Sequence, residues 1–173
     1  MIAGMAVLAF SACTKEQQEE LKLEAELLMQ YQAVEFTLEP TEALGEVQLT
    51  LSLDGEALAQ MLSDNGYRLD QLKEFTFNSA DVHIANGDGR TYDALQSITM
   101  EIATDGTAPV IIATKDPIPD GVNAFTFNVP STNVADILRH NEIHVIAKLN
   151  VEQAVTDTTY HLLNLGGKVV VKL

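Results

Sequence analysis

Histidine is the side chain in this sequence with the clearest capacity for metal chemistry, because neutral imidazole is the commonest metal ligand in proteins. The chain of 173 residues contains four of them, at His83, His140, His144 and His161. His140 and His144 have helical i, i+4 spacing, but the residues between them lead into an alternating, strand-like run. On a strand, two such residues lie about 13 Å apart at a rise of about 3.3 Å per residue. We therefore expect no metal site and interpret the four as surface or rim histidines.

Acidic loops are the second group of possible ligands, since calcium binds carboxylate and carbonyl oxygens. Asn86, Asp88 and Asp93 form one such group, and Asp116 and Asp120 form another. Neither has the loop with a closing glutamate that an EF-hand requires. Solvated turn carboxylates explain these residues better, and we expect no cofactor.

Motifs of covalent catalysis and phosphate binding are missing from the sequence. It has no Gly-x-Ser-x-Gly pattern. Gly166-Gly167-Lys168 lacks the earlier glycine and the following Ser or Thr of a phosphate-binding loop. These three residues instead indicate a bulge or bend in a last strand, with Lys168 directed to water.

Aromatic composition bears on glycan binding, which usually relies on exposed aromatic platforms. The chain has no Trp and four tyrosines, which are the candidate contact residues: Tyr31, Tyr67, Tyr92 and Tyr160. Most of the phenylalanines lie at inward strand positions, where a core role is expected. Carboxylate pairs are plentiful, so residue type alone leaves a hydrolase with an unrecognised site open.

The only cysteine, Cys13, lies at a sharp change of composition. Residues 1–12 are uncharged and apolar, as in the h-region of a signal peptide, and a polar, acidic stretch follows Cys13. The run Ala9-Phe10-Ser11-Ala12-Cys13 resembles the lipobox of bacterial lipoproteins, although residues 1–12 lack the Lys or Arg of that pattern. The resemblance implies that Cys13 is lipidated and becomes the N-terminus. The alternative is a short buried apolar segment with an incidental core cysteine.

The residues after Cys13 would then connect the anchor to a folded domain. Thr14–Gln32 is rich in Glu, Gln, Leu and Lys, which favour helices, and we expect a helical spacer there. Its acidic cluster of Glu16, Glu19 and Glu20 is similar to the export signal of surface lipoproteins in the Bacteroidota. A solvated linker is the alternative explanation for these charges.

From Ala33 onward the hydrophobic period becomes two, which predicts half-buried strands. The alternating positions are Val34, Phe36 and Leu38; Val47, Leu49, Leu51 and Leu53; Phe75 and Phe77; Val82 and Ile84; Ile98, Met100 and Ile102; Phe125, Phe127 and Val129; and Ile143, Val145, Ala147 and Leu149. A change of phase predicts a bulge near Ser79 and Ala80. The continuous runs Val110–Ala113 and Val169–Val171 indicate strands that are covered on both faces.

Two short helices are expected in the body. Asp54 can cap Gly55–Ser63, and Ser131 or Thr132 can cap Asn133–His140. About eight strands with so few helices predict an all-β fold, an antiparallel β-sandwich. The pattern over Val47–Leu173 resembles small Bacteroidota lipoproteins with an immunoglobulin-like or late-embryogenesis-abundant-like sandwich. The resembling segments are Leu51–Asp54, Leu69–Phe75 and Tyr92–Ile98.

The charge balance narrows the range of partners. With 10 Lys and Arg against 25 Asp and Glu, the formal net charge is −15, which disfavours binding to nucleic acid or to an anionic lipid surface.

We expect a signal peptide over 1–12, a lipidated Cys and spacer over 13–32, and a sandwich domain over 33–173. The expected protein is not an enzyme. It is lipid-anchored at the outer membrane, facing the periplasm or the cell surface, and binds another envelope protein; a glycan-binding or nutrient-uptake accessory lipoprotein is the alternative.

Overall fold

The computed structural model describes residues 24–53, 55–86, 89–140 and 142–173, with residues 31–33 described by their backbone alone. Its elements, in chain order, are β1 (Glu24–Leu38), β2 (Gly45–Leu53), α1 (Gly55–Asp64), a 3₁₀ turn (Leu69–Gln71), β3 (Leu72–Ile84), β4 (Leu95–Ala103), β5 (Val110–Lys115), β6 (Ala124–Thr126), α2 (Ala135–Leu138), β7 (Ile143–Val151) and β8 (Thr159–Lys172).

Within these described ranges, the strands form two four-stranded sheets, ordered β1-β8-β3-β6 and β2-β7-β4-β5. Every pair of neighbouring strands is antiparallel. Apolar side chains from both sheets form a continuous core, in which Phe75, Met100, Val145 and Leu163 are fully buried. The predicted antiparallel sandwich of about eight strands with two short helices is confirmed.

Alternation determines which face of each strand is buried. Along β7, every second residue from Ile143 to Val151 is buried, because each strand residue points to the opposite face from its neighbour. In the central strand β8, Val169–Val171 is buried throughout, as the continuous apolar run predicts. The matching expectation for Val110–Ala113 is wrong. This segment belongs to β5, which lies at the edge of its sheet beside β4 in the described structure, and Ile111 is 46% exposed.

The expected helical spacer is also wrong over its described part, Glu24–Gln32. These residues belong to β1, which pairs with β8 from Glu24 opposite Lys172 to Leu38 opposite Thr159. Lys73 on β3 reaches across β8 to the Glu24 carboxylate at 2.6 Å. The edge of β8 supplies backbone hydrogen-bond partners along Glu24–Leu38, and this pairing outweighs the helix propensity of Glu, Gln and Leu, which is only a weak preference. Residues 13–23 lie outside the described structure.

This correction moves the domain boundary and can be tested by truncation. We expect a chain beginning at Ala33 to be less stable than one beginning at Glu24 by at least about 2 kcal/mol, because deleting buried methionine packing alone costs that much. Met29 is only 6% exposed and would be lost together with the strand that covers β8. Urea unfolding of the two truncated chains measures the difference. Equal unfolding midpoints would mean that residues 24–32 add no stability and that the folded domain begins at Ala33.

The local predictions have mixed outcomes. The bulge is confirmed, since the β3–β8 register shifts between Phe77 and Ser79. Helix α1 is confirmed at Gly55–Asp64, while its proposed cap Asp54 lies outside the described residues. The cap expected at Ser131 or Thr132 is wrong.

Helix α2 is shorter than predicted, because an asparagine side chain fixes where it begins. The Asn133 Oδ1 atom accepts hydrogen bonds from the backbone N–H groups of Ala135 and Phe75, both at 3.0 Å. Asn133 therefore lies just before the N-cap residue Val134 and ties the start of α2 to β3, and the helix spans Ala135–Leu138.

Candidate binding groove

A groove of about 770 Å³ lies where the edge strands of the two sheets meet α1. This volume is within the range of about 300–1,000 Å³ that is usual for ligand-binding clefts. The groove is lined by residues of β1, the end of β2 and α1: Leu28, Met29, Gln30, Val34, Glu35, Ser52, Leu53, Glu56, Ala57, Gln60, Met61, Asp64 and Asn65.

The lining from α1 follows from helical periodicity. Leu58 and Leu62 are fully buried and direct one face of α1 into the core. The neighbouring stripe, with Ala57 and Met61, is only half-buried and forms one wall of the groove. Residues four apart on a helix share a face, so this wall runs along the helix.

The lining from β1 shows that the groove reaches the edge of the strand. Successive strand residues point to opposite faces, so a groove on one face would meet only every second residue. Here Leu28, Met29 and Gln30 all line it, and so do Val34 and Glu35. Among the described strands, β1 pairs only with β8, which leaves its other edge toward the groove without a strand partner.

Apolar surface and acidic charge coincide in the groove. Leu28 is 79% exposed at its mouth, while Met29 and Leu53 are buried at its base. Among the described lining residues, the carboxylates are those of Glu35, Glu56 and Asp64, and none is Lys, Arg or His. The Asp64 carboxylate accepts a hydrogen bond from the Gln60 amide at 2.7 Å. The groove therefore favours a ligand that is apolar and positively charged.

The structure separates the four histidines. His83 is half-buried on β3, and His140 is exposed after α2. His144 lies at the start of β7, where its imidazole Nε2 is 3.8 Å from a carboxylate oxygen of Asp105. His161, in contrast, is buried in the sandwich and is 2% exposed.

His144, Asp105 and Glu142 form a cluster that the sequence analysis missed. One possible ligand atom of each residue lies within 4.8 Å of those of the other two, and both carboxylate residues are exposed to solvent. No sequence signal marks this cluster, because it depends on strand pairing: Ala103 lies opposite His144, and the connection from β4 to β5 then brings Asp105 close to it. The cluster can attract a cation, but two of its three ligands are exposed carboxylates, and the described residues add no fourth ligand to the group.

The residues considered for calcium are used structurally or lie apart. Asp93 accepts a hydrogen bond from the Gly121 backbone N–H at 2.5 Å. The Asn86 side chain binds the backbone of Thr158 and Tyr160 at 3.1 and 2.7 Å. The Asn86 contacts fix its loop to the start of β8, and the Asp93 contact joins two loops.

Of the other residues in those two groups, Asp116 and Asp120 are exposed, and Asp88 lies outside the described residues. The interpretation as turn residues therefore agrees with the contacts of Asn86 and Asp93.

Buried His161 connects three side chains inside the sandwich. Its Nδ1 lies 3.0 Å from the Tyr92 hydroxyl, its Nε2 lies 2.8 Å from the Thr159 hydroxyl, and its ring stacks on Phe36 with centroids 4.6 Å apart. Burial lowers the pKa of His161 to about 4 and raises the pKa of Tyr92. The expectation that His161 is a surface or rim residue is wrong, because the stacked and hydrogen-bonded ring is part of the core.

The tyrosines offer little aromatic platform. Tyr92 is buried, which corrects its assignment as a contact residue. Tyr67 is half-buried, Tyr160 is 52% exposed, and the side chain of Tyr31 is outside the description.

The glycine pair lies within β8, as predicted. Gly166 sits opposite Ser79, where the β3–β8 register shifts. The Lys168 ammonium pairs with Glu26 at 2.6 Å on the solvent side.

Comparison with known proteins adds no relative. No protein-family model matches the chain, and no curated protein matches it. Among the described residues, no helix is long and apolar enough to cross a membrane.

Proposed function

We propose that this protein is a lipid-anchored lipoprotein of the outer membrane whose β-sandwich acts without catalysis, by binding another envelope protein. The groove between β1 and α1 carries this proposal. It combines an exposed Leu28, an apolar base and a strand edge, and these are features that protein partners use. The sandwich thus supplies a binding surface, and Cys13 supplies the membrane attachment, facing the periplasm or the cell surface.

The groove fits a protein partner better than a glycan. Glycan recognition would call for exposed, coplanar aromatic rings, and none of the groove-lining residues whose side chains the structure describes is aromatic. In the described ranges, Tyr160 is the one large aromatic side chain that is mostly exposed, and it lies outside this groove. Among the described side chains, the glycan-binding alternative is therefore supported by the Tyr160 ring alone.

Copurification tests the proposed function directly. The full-length protein would be crosslinked in membranes of its native host and purified, with the purified Cys13→Ser protein as the reference. We expect a defined envelope protein to be enriched with the anchored form. If no protein is enriched and the purified sandwich instead binds a glycan array, the alternative function replaces this one.

The anchor has its own test in the Cys13→Ser variant. A serine hydroxyl cannot replace the thiol that accepts the lipid, so we expect the variant to remain an uncleaved precursor or to leave the membrane fraction. Two or three acyl chains anchor a protein stably, at about 0.8 kcal/mol for each buried methylene. Membrane fractionation and intact mass measure the outcome. Unchanged fractionation and mass in Cys13→Ser would contradict lipidation.

A further inference from the structure

We propose that the groove binds an extended, positively charged segment of the partner protein, which adds as a further strand to the edge of β1. This inference rests on the proposed function and specifies the chemistry of the partner. Strand addition uses main-chain hydrogen bonds for affinity and alternate side chains for specificity. The groove offers both a strand edge and an apolar base beside it.

The edge of β1 supports an extended ligand. The lining includes the consecutive residues Leu28–Gln30, so the groove opens onto the edge of the strand and not onto one face. The β1–β8 register shifts between Tyr31 and Val34, which leaves Glu24–Tyr31 as an uninterrupted ladder. An added strand can therefore pair along Leu28–Gln30, the part of this ladder that lines the groove, while its apolar side chains face Met29 and Leu53.

The charge of the groove selects a cationic segment. Glu35 on β1 and Asp64 on α1 stand on opposite walls, and both are exposed. Lys or Arg side chains on a strand between these walls would face carboxylates, and an acidic segment would be repelled. The alternation of the ligand then places basic residues toward the walls and apolar residues toward the base.

The same charge argues against a second copy of this chain as the occupant. Both strands that border the groove, β1 and β2, contain Glu and lack Lys and Arg. A second copy would also bring another net charge of −15 to an acidic groove. The occupant is thus a segment of a different protein.

Peptide binding to the purified sandwich tests the inference. The probe is a peptide of about ten residues with alternating Lys and Val, which spans about 33 Å when extended. We expect it to bind. A peptide of the same composition in a helical pattern, and one with alternating Glu and Val, are expected to bind at least about tenfold more weakly.

Charge reversal locates the binding site. The Glu35→Lys/Asp64→Lys variant should weaken binding of the Lys–Val peptide about tenfold or more. A matched control, Glu42→Lys/Glu152→Lys, changes the net charge equally at exposed residues outside the groove and should retain most of the affinity. An equal loss of peptide affinity in both variants would show that the peptide is attracted by the net charge of the protein and not by the groove, and would overturn the inference.

Hydrogen exchange distinguishes strand addition from other binding modes. On peptide binding, amides within Leu28–Gln30 of β1 should exchange more slowly, because those that face the groove gain a partner at the edge. No binding, or protection confined to other strands, would overturn the inference. If the crosslinked partner is nevertheless enriched equally by wild type and by Glu35→Lys/Asp64→Lys, the proposed function stands and only the groove assignment fails.

Discussion

Replacing Gly167 by alanine is expected to lower the free energy of unfolding by about 2–3 kcal/mol, near the upper end for overpacking a core. A Cβ atom at this position would lie 2.3 Å from Cζ and 2.7 Å from Cε1 of Phe75. The Phe75 ring is fully buried and packs edge-on against Phe77, so it has little room to move. The clash outweighs the intrinsic gain of about 0.5–1 kcal/mol that alanine has over glycine in a strand.

Gly166 provides the matched control. A Cβ atom there would meet the Ser79 hydroxyl at 2.2 Å, but Ser79 is exposed and its side chain can turn away into solvent. We therefore expect Gly166→Ala to cost less than about 1 kcal/mol. Urea unfolding of both variants measures the difference, and equal costs would contradict the packing explanation.

A double-mutant cycle assigns the effect to the aromatic ring. Phe75→Leu shortens the side chain that meets the new methyl group, so Gly167→Ala should cost less in that background. Additive costs would mean that the methyl group disturbs something else.

Gly167 also connects the core to the groove. It lies between Met29 on β1 and Phe77 on β3 in the pairing of β8 with its two neighbours. Because Met29 lines the groove, an overpacked Gly167 would displace the strand that forms the proposed binding edge. Loss of peptide affinity in Gly167→Ala is therefore expected to accompany loss of stability.

The fold could be predicted where neighbouring residues carry the signal. In β2 and β7, alternating side chains reveal the strand and its buried face without knowledge of the partner. In β1, the composition favours helix, and the deciding contact is with β8, at the other end of the chain. Local propensity could not show this pairing, so the spacer helix was the wrong prediction over Glu24–Gln32.

The groove and the contacts of His161 could not be predicted either, because both depend on residues that are far apart in the sequence. The groove exists only where β1, β2 and α1 meet, and its lining residues are individually ordinary. His161 has its hydroxyl partner Tyr92 69 residues away in the sequence. Residue types raised the question of histidine chemistry, but only the fold shows which histidine is enclosed.

His161 is expected to make the sandwich sensitive to mild acid. In the folded protein, burial holds its pKa at about 4, whereas an unfolded histidine has a pKa near 6.5. The unfolded state therefore binds a proton at a higher pH than the folded state does. Its contribution to stability is complete above about pH 6.5 and is lost as the pH falls toward 4, by an amount on the order of 3 kcal/mol.

The measurement is the difference in pH dependence between wild type and His161→Gln. Glutamine does not titrate in this range, so the variant should be less stable than wild type at pH 7 but should lose less stability between pH 6.5 and 4. The exposed His140→Gln variant is the control and should keep the wild-type slope. Protonation of carboxylates in acid also reduces charge repulsion, and this effect is the same in all three proteins. It therefore does not contribute to the difference between their stability-versus-pH slopes. The interpretation of His161 as a buried, neutral side chain, in contact with Tyr92, Thr159 and Phe36, can be contradicted in two ways. One is an imidazole resonance of His161 that titrates near pH 6.5 in the folded protein. The other is an equal pH dependence of stability in wild type and His161→Gln.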